Sequence, residues 1–239
     1  MPGAQRFDRL DAFRGFAIVW MAVFHFLFDL DTFRFIDADF YGDRIWTWQR
    51  SAIVTLFLLA AGAAQAVAIA QRQSAARFWK RWAQIAACAV LVSVGSWLMF
   101  PRSWISFGVL HSIAVLLIVV RWTHGLGAWR WPLGAVAVAL PFLVSHPLFD
   151  SRWTNWVGLV TELPVTEDYV PLLPWLGVAW WGASAMEWLL ARRPAAVAGA
   201  IPSALGPLAL LGRWSLSFYM LHQPLLIGLV ATAAFIIRR

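Results

Sequence analysis

Besides Arg14 near its start, two ionisable side chains lie inside the first long apolar run of the chain, residues 12–30. His25 and Asp29 are four residues apart, and residues at this spacing are neighbours on a helix surface. With about 100° of rotation per residue, Asp11 and Arg14 share one sector of about 60° with them. A carboxylate that orients a basic imidazole is an arrangement used in acid–base catalysis. The stripe therefore predicts a base, His25, oriented by Asp29; a structural polar contact between helices is the alternative.

A second polar face occurs in the last apolar run, residues 214–236. Ser215, Tyr219 and His222 share a sector of about 60°, and Pro224 frees a backbone carbonyl oxygen two residues after the histidine. Ionisable groups at membrane depth cost about 2.5–3.5 kcal/mol each on insertion scales, so they usually mark a function. We interpret this face as functional, and a hydrogen-bonded helix kink is the alternative.

The composition indicates that these runs cross a membrane. Of the 239 residues, 61% are hydrophobic and 13% are charged, whereas soluble domains have about 25% charged residues. The net charge of +7 comes from Lys and Arg spread over short loops, which is the usual pattern for membrane orientation. This distribution does not favour a nucleic-acid partner. The single cysteine, Cys88, excludes a disulfide within the chain.

Seven runs have about the length that a bilayer core requires. We therefore predict an all-α, polytopic membrane helix bundle of seven or eight transmembrane helices, forming a single domain over residues 1–239. Residues 194–211 are apolar but broken by three prolines, and form an interfacial segment, a re-entrant segment or the eighth span. The seven predicted spans are residues 12–30, 50–71, 82–100, 105–121, 131–147, 172–190 and 214–236.

The loops between these runs alternate in charge. The N-terminal tail and every second loop are basic, and the intervening loops, after the first and fifth spans, are acidic. The positive-inside rule therefore places the N-terminus in the cytoplasm. On this scheme His111 lies about 9 Å from the outer end of its span. Arg50 lies at the outer end of the second span, where it either binds an anionic group or extends to the interface.

The sequence does not predict a metal or haem. His111 and His124 are thirteen residues apart, a spacing that can align two haem ligands on one helix. Gly125, however, follows His124 directly, which places this histidine in a loop. Neither metal-binding Cys/His spacing nor a phosphate-binding loop is visible.

The segment "RLDAFRGFAIVWMAVFHFLFDL", residues 9–30, resembles the start of the bacterial heparan-α-glucosaminide N-acetyltransferase catalytic-domain family, part of a wider group of transmembrane acyltransferases. Four later segments also resemble this family and extend the likeness along the whole chain. They are "FLLAAG" (57–62), "ISFGVLHSIA" (105–114), "LLPWLG" (172–177) and "LGRWSLSFYMLHQPLL" (211–226). The chain departs from the larger lysosomal members, which carry a candidate catalytic histidine in the loop after the first helix. Here no histidine lies between His25 and His111.

The resemblance implies an enzyme of the bacterial inner membrane that passes an acyl group, usually acetyl, from cytoplasmic acyl-CoA to an acceptor outside. The acceptor would be an amine or hydroxyl of an amino sugar or glycan, and a homodimer is left open. Acyl transfer needs a base and donors to the developing oxyanion. We assign the base to His25 with Asp29, and a second acid or base, or the oxyanion donor, to His222 and Tyr219.

Acyl-CoA is a polyanion and needs a basic site. Arg14 and Arg213 are the predicted contacts for its phosphates, and Asp11 and His111 are grouped with them as cofactor-binding residues. Arg50 is the predicted substrate-binding residue. Two other classes of protein remain open. They are a proton-coupled transporter that uses the same histidines and Asp29 as a relay, and a non-catalytic membrane scaffold.

Overall fold

The computed structural model of the protein describes residues 6–238. Within this range the chain is helical and contains no β-strand, which confirms the predicted all-α class. Nine α-helices follow one another along the described residues, with short 3₁₀ turns between some of them. They are α1 Asp8–Thr32, α2 Arg44–Ala70, α3 Ala75–Met99, α4 Val109–Trp122, α5 Arg130–Leu143, α6 Leu172–Arg192, α7 Ala195–Ala198, α8 Gly206–Arg213 and α9 Ser215–Ile237.

Each of the seven predicted spans overlaps one of the longer helices. Five segments of the described chain are long and apolar enough to cross a membrane: α1, α2, α3, α9 and the stretch His124–Leu143, which contains α5. The apolar helix α4 is shorter. The proline-rich stretch 194–211 does not form one helix, because α7 has 4 residues and α8, which begins at Gly206, has 8. These helices make the chain a multi-pass membrane protein.

The described residues form two compact units. Residues 58–197 form the central unit, and residues 6–57 together with 198–238 form the terminal unit. The helix α2 contributes its first half to the terminal unit and its second half to the central unit. The single-domain organisation of residues 1–239 stays a prediction.

An aromatic cluster fills the core of the terminal unit. Met21 and Phe24 of α1 are buried together with Phe40 and with Ile53 of α2. The ring of Phe40 stacks on Trp46 with centroids 4.2 Å apart. Since every member of this cluster is apolar, the polar stripe of α1 must use a different face of the helix.

The helices α1 and α9 run side by side in the same direction within the terminal unit. Arg213, just before α9, pairs with Asp8 at the start of α1 at 2.7 Å. At the other end, the Arg238 guanidinium donates a hydrogen bond to the carbonyl of Phe33, just beyond α1. The polar stripe of α1 therefore faces α8 at its beginning and α9 further along.

Polar contacts join the helices of the central unit. The indole of Trp82 on α3 donates to the carbonyl of Ala114 on α4 at 3.0 Å. The indole of Trp180 on α6 donates to the hydroxyl of Thr123, at the end of α4, at 2.9 Å. In an apolar environment such donors must find a partner, so these bonds help to define the packing of α3, α4 and α6.

Candidate active site

Two glycines bring α1 and α8 into backbone contact. A Cβ atom on Gly15 would lie 1.9 Å from the carbonyl oxygen of Leu208, and one on Gly212 would lie 1.8 Å from that of Asp11. Only glycine permits so close an approach of two backbones. Because Arg14 precedes the first glycine and Arg213 follows the second, the same contact brings the two arginines to one place.

These arginines form an ion-pair cluster with the acids of the first turn of α1. Arg14 lies 2.9 Å from Asp11, and Arg213 lies 2.7 Å from Asp8 and 3.7 Å from Asp11. Asp8 and Asp11 also lie where the helix dipole favours negative charge. The cluster therefore has two positive and two negative groups, and Asp8 and Asp11 hold both guanidinium groups in place.

Deeper in the terminal unit, the two predicted histidines face each other. The ring centroids of His25 on α1 and His222 on α9 are 5.2 Å apart. The Nδ1 atom of His222 lies 2.7 Å from the carbonyl oxygen of Tyr219. A carbonyl oxygen only accepts, so Nδ1 carries the proton and Nε2 has a free lone pair. The buried Nε2 atom has no hydrogen-bond partner among the described residues.

Asp29 makes a different contact from the one expected. Its side chain is 2% exposed, and its Oδ1 atom accepts a hydrogen bond of 3.0 Å from the amide of Gln223 on α9. The structure shows no bond from this carboxylate to His25, although the two residues are one turn apart on α1. Asp29 therefore pairs with the Gln223 amide on the neighbouring helix α9 rather than with His25 on its own helix.

Sequence reasoning missed Gln223. It directly follows His222, and its side chain joins α9 to α1 through Asp29. The sequence offers one indication of its role: Gln223 is a second polar residue directly beside a histidine in an apolar run, where polar residues usually mark a function. The cluster of His25, Asp29, His222 and Gln223 is called the buried polar site below.

Tyr219 lies at the border of this site. Its ring packs against the aromatic cluster of the terminal unit, and its centroid is 5.6 Å from that of His222. Its backbone carbonyl fixes the tautomer of His222. The structure thus places Tyr219 beside the predicted catalytic histidine.

His111 lies in the central unit, and both of its ring nitrogens have partners. The backbone N–H of Gly108 donates to Nδ1 at 3.2 Å, so Nε2 carries the proton. Nε2 donates to the hydroxyl of Ser93 at 3.1 Å, and this hydroxyl donates to the carbonyl of Ile105 at 2.7 Å. These bonds give His111 a structural role at the start of α4, and its contact with acyl-CoA stays a prediction.

Arg50 is exposed on the second turn of α2. It makes no side-chain hydrogen bond or ion pair within residues 6–238. Its role in substrate binding stays a prediction.

A charged cluster in the central unit was also missed by the sequence analysis. Arg130, at the start of α5, is 1% exposed and pairs with Glu187 of α6. His124 lies 3.1 Å from the same carboxylate. The pair joins α5 to α6, and the signal for it was a glutamate inside an otherwise apolar run.

No three His, Cys, Asp or Glu side chains of the described residues form a group that could hold a metal ion. The prediction that the protein uses no metal or haem stays a prediction. The facing imidazoles of His25 and His222, with Asp29 on α1, are groups suited to acid–base chemistry.

The fold and the buried polar site define a multi-pass membrane protein with groups suited to proton transfer. The sequence model described as "Heparan-alpha-glucosaminide N-acetyltransferase, catalytic" matches residues 6–224. The chain therefore belongs to this family of transmembrane acyltransferases, which confirms the resemblance stated above. No curated protein and no solved structure matches the chain.

Proposed function

We propose that the protein transfers an acyl group, acetyl in the main, from cytoplasmic acetyl-CoA to an amine or hydroxyl of an extracytoplasmic amino sugar or glycan. Membership of the N-acetyltransferase family supports the reaction class. The observation that carries the proposal is the pair of facing imidazoles, His25 and His222, inside the membrane helices of the terminal unit.

The chemistry requires a proton acceptor beside the attacking group. The nucleophile attacks the thioester carbonyl, the new C–N or C–O bond forms, and the C–S bond breaks to release the CoA thiolate. We assign the acceptor role to the His25–His222 pair. The free Nε2 lone pair of His222 supports this role, and a positioned base contributes about 10²–10⁴ in rate. Tyr219 orients His222 through its carbonyl.

The ion-pair cluster at the start of α1 is the proposed contact for the CoA phosphates. Guanidinium groups suit phosphate oxygens because they form paired hydrogen bonds. Asp8 and Asp11 hold Arg14 and Arg213 in position, so phosphate would share these donors with the two carboxylates. On this assignment, Arg213→Gln raises the KM for acetyl-CoA and leaves the KM for the acceptor unchanged.

We propose seven spans with the N-terminus in the cytoplasm of a bacterial inner membrane. Since α1 and α9 run in the same direction, an odd number of crossings must separate them, and α2 to α6 supply five. The basic tail and alternate basic loops support the orientation. The buried polar site, near the end of α1, is then closer to the outer face, as an extracytoplasmic acceptor requires. Arg50 lies at that face.

The direct test uses purified protein in detergent and compares the wild type with His25→Ala and His222→Ala. We expect all three to bind acetyl-CoA, and both variants to lose CoA release with an amino-sugar acceptor. His146→Ala is the matched control, because His146 is exposed in a loop. Failure of every protein to bind acyl-CoA contradicts the proposal.

Proton-coupled transport is the second candidate function. The observation that favours it is the presence of Asp29 and two histidines inside the membrane helices. Such groups also serve as proton relays in transporters. Proton uptake by vesicles containing the wild type but not His222→Ala, together with absent acyl-CoA binding, would favour transport over transfer.

A further inference from the structure

An apolar groove runs between α5 and α6 in the central unit. It is lined by Trp131 of α5 and by Ala185, Trp188 and Leu189 of α6. The two tryptophans are 46% and 50% exposed. Because α5 belongs to a segment that is long and apolar enough to cross a membrane, we expect this open apolar surface to face lipid.

Close contacts between α5 and α6 make the groove a preformed feature. A Cβ atom on Gly177 of α6 would lie 2.3 Å from the carbonyl oxygen of Gly134 on α5, so the two backbones touch at this point. The indole of Trp181 donates to the carbonyl of Trp131 at 3.1 Å. These contacts fix the separation of the two helices and therefore the width of the groove.

Two arginines lie at the end of the groove where α6 ends. Arg192 comes three residues after Leu189 and four after Trp188, so it shares their face of the helix. The guanidinium carbon of Arg193 lies 6.0 Å from the ring centroid of Trp188, within the range of a cation–π contact. Both arginines are exposed, and the groove thus has an apolar floor and a basic end.

The nearby acid of α6 does not neutralise these two arginines. Glu187 pairs with the buried Arg130 and lies 3.1 Å from His124. Across the part of the chain that the structure describes, no ion pair involves Arg192 or Arg193. Two guanidinium groups are therefore available to an anion at the end of the groove.

We propose that this groove binds one anionic phospholipid, whose phosphate is held by Arg192 and Arg193. One acyl chain lies along the groove against Ala185 and Trp188. Guanidinium groups bind phosphate oxygens through paired hydrogen bonds, and basic pockets between membrane helices bind anionic headgroups. Tryptophans near the ends of membrane helices lie at headgroup level, which is the depth that such a phosphate requires.

The charges of the site select an anionic lipid over a zwitterionic one. Phosphatidylcholine carries the same phosphate but adds a quaternary ammonium, which two arginines without acidic partners repel. Phosphatidylglycerol has a neutral headgroup beyond its phosphate and avoids this repulsion. The inference goes beyond acyl transfer and does not depend on it, because it assigns a lipid site to the central unit.

The test counts lipids bound to the purified full-length protein by native mass spectrometry in detergent. Phosphatidylglycerol and phosphatidylcholine with identical chains are titrated in turn, and glycerol 3-phosphate is added as a soluble competitor. One variant, Arg192→Gln/Arg193→Gln, removes the phosphate donors. A second, Ala185→Phe, fills the groove and keeps the charge.

Arg77→Gln/Lys80→Gln is the matched control for charge. It also removes two positive charges from the central unit, at exposed positions near the start of α3. Melting temperatures measured without lipid show whether each variant is folded before its lipid binding is compared.

We expect the first phosphatidylglycerol to bind the wild type at least about tenfold more tightly than phosphatidylcholine, the effect of one hydrogen bond to a charged group. Arg192→Gln/Arg193→Gln should lose this preference, and the control should keep it. Ala185→Phe should weaken phosphatidylglycerol binding at unchanged net charge, which separates the groove from general attraction to a basic surface.

Equal affinity of the wild type for the two lipids would overturn the inference. An equal loss in the control would do the same, since net charge alone then explains the binding. Unchanged binding in Ala185→Phe would show that no acyl chain occupies the groove. Displacement of the lipid by an equal concentration of glycerol 3-phosphate would identify a site for free phosphate and would also contradict a lipid site.

Discussion

His111 in the central unit and His222 in the terminal unit are both histidines within apolar helices, yet their surroundings differ. Both nitrogens of His111 have partners, Gly108 and Ser93. His222 uses Nδ1 and leaves Nε2 buried without a partner among residues 6–238. A side chain with every polar atom paired stabilises the fold, whereas a buried unpaired atom is available for a substrate.

The same difference separates the carboxylates of α1. Asp8 and Asp11 are paired with arginines. Asp29 has one oxygen bonded to Gln223 and one without a partner in the described part of the chain. Near the start of α1, Asp8 and Asp11 form ion pairs that hold α1 against α8 and the start of α9. Near its end, Asp29 keeps one oxygen available and is the better candidate for chemistry.

The largest effect should come from removing the unpaired imidazole. We expect His222→Ala to lower kcat by about 10²–10⁴, the contribution of a positioned base, with little change in melting temperature. His111→Ala should instead lower the melting temperature and leave kcat nearly unchanged. Turnover and thermal unfolding of the two variants measured side by side check this, and equal kcat losses would remove the distinction between the two histidines.

The next largest effect concerns the backbone contact at Gly15, which lies beside the ion pairs of Arg14 and Arg213. Gly15→Ala would place a methyl group against the Leu208 carbonyl, where a Cβ lies 1.9 Å away. Separation of α1 and α8 should cost about 1–3 kcal/mol, as overpacking does. Gly228→Ala is the control, because a Cβ there would have no atom of the described residues within 4 Å. A melting temperature lowered by Gly15→Ala and not by Gly228→Ala confirms the contact.

The sequence predicted the polar stripe of α1 well, because helical periodicity fixes which residues share a face. It predicted that His25 and His222 belong to a functional site, and the structure brings them together. It did not predict the pairing of Asp29 with Gln223. Spacing along one helix identifies neighbours on that helix, whereas partners on another helix depend on how the two helices pack.

The helices followed from hydropathy, but their limits and partners did not. The predicted span at 105–121 begins at Val109 in the structure, because Asp168 caps α4 by accepting from the Val109 N–H at 2.7 Å. This cap comes from a loop about sixty residues away in sequence, beyond the reach of local capping patterns. The Arg130–Glu187 pair was missed for the same reason.

A smaller effect should come from the paired histidine itself. Removal of the His111 or Ser93 side chain breaks the bonded chain from Gly108 to Ile105, which should cost about 1 kcal/mol for each variant. Because the two side chains share one bond, the double variant His111→Ala/Ser93→Ala should cost less than the sum. Additive losses of unfolding free energy would show that the two side chains act independently.

The smallest expected effect concerns Asp150, a carboxylate outside the membrane helices. Both of its oxygens accept hydrogen bonds, unlike those of Asp29. The Thr161 hydroxyl and then the Thr161 N–H, at 2.7 Å, hold the pKa of Asp150 below its ordinary value. A lowered pKa in the folded state means that these bonds contribute stability above the ordinary value and lose it as the pH falls through the folded pKa. Hydrogen exchange of residues 146–161, corrected for its intrinsic pH dependence, should therefore show protection at about pH 6 that declines towards about pH 3. Asp150→Asn should remove this pH dependence, and a variant that retained it would assign the titration to another group in the loop.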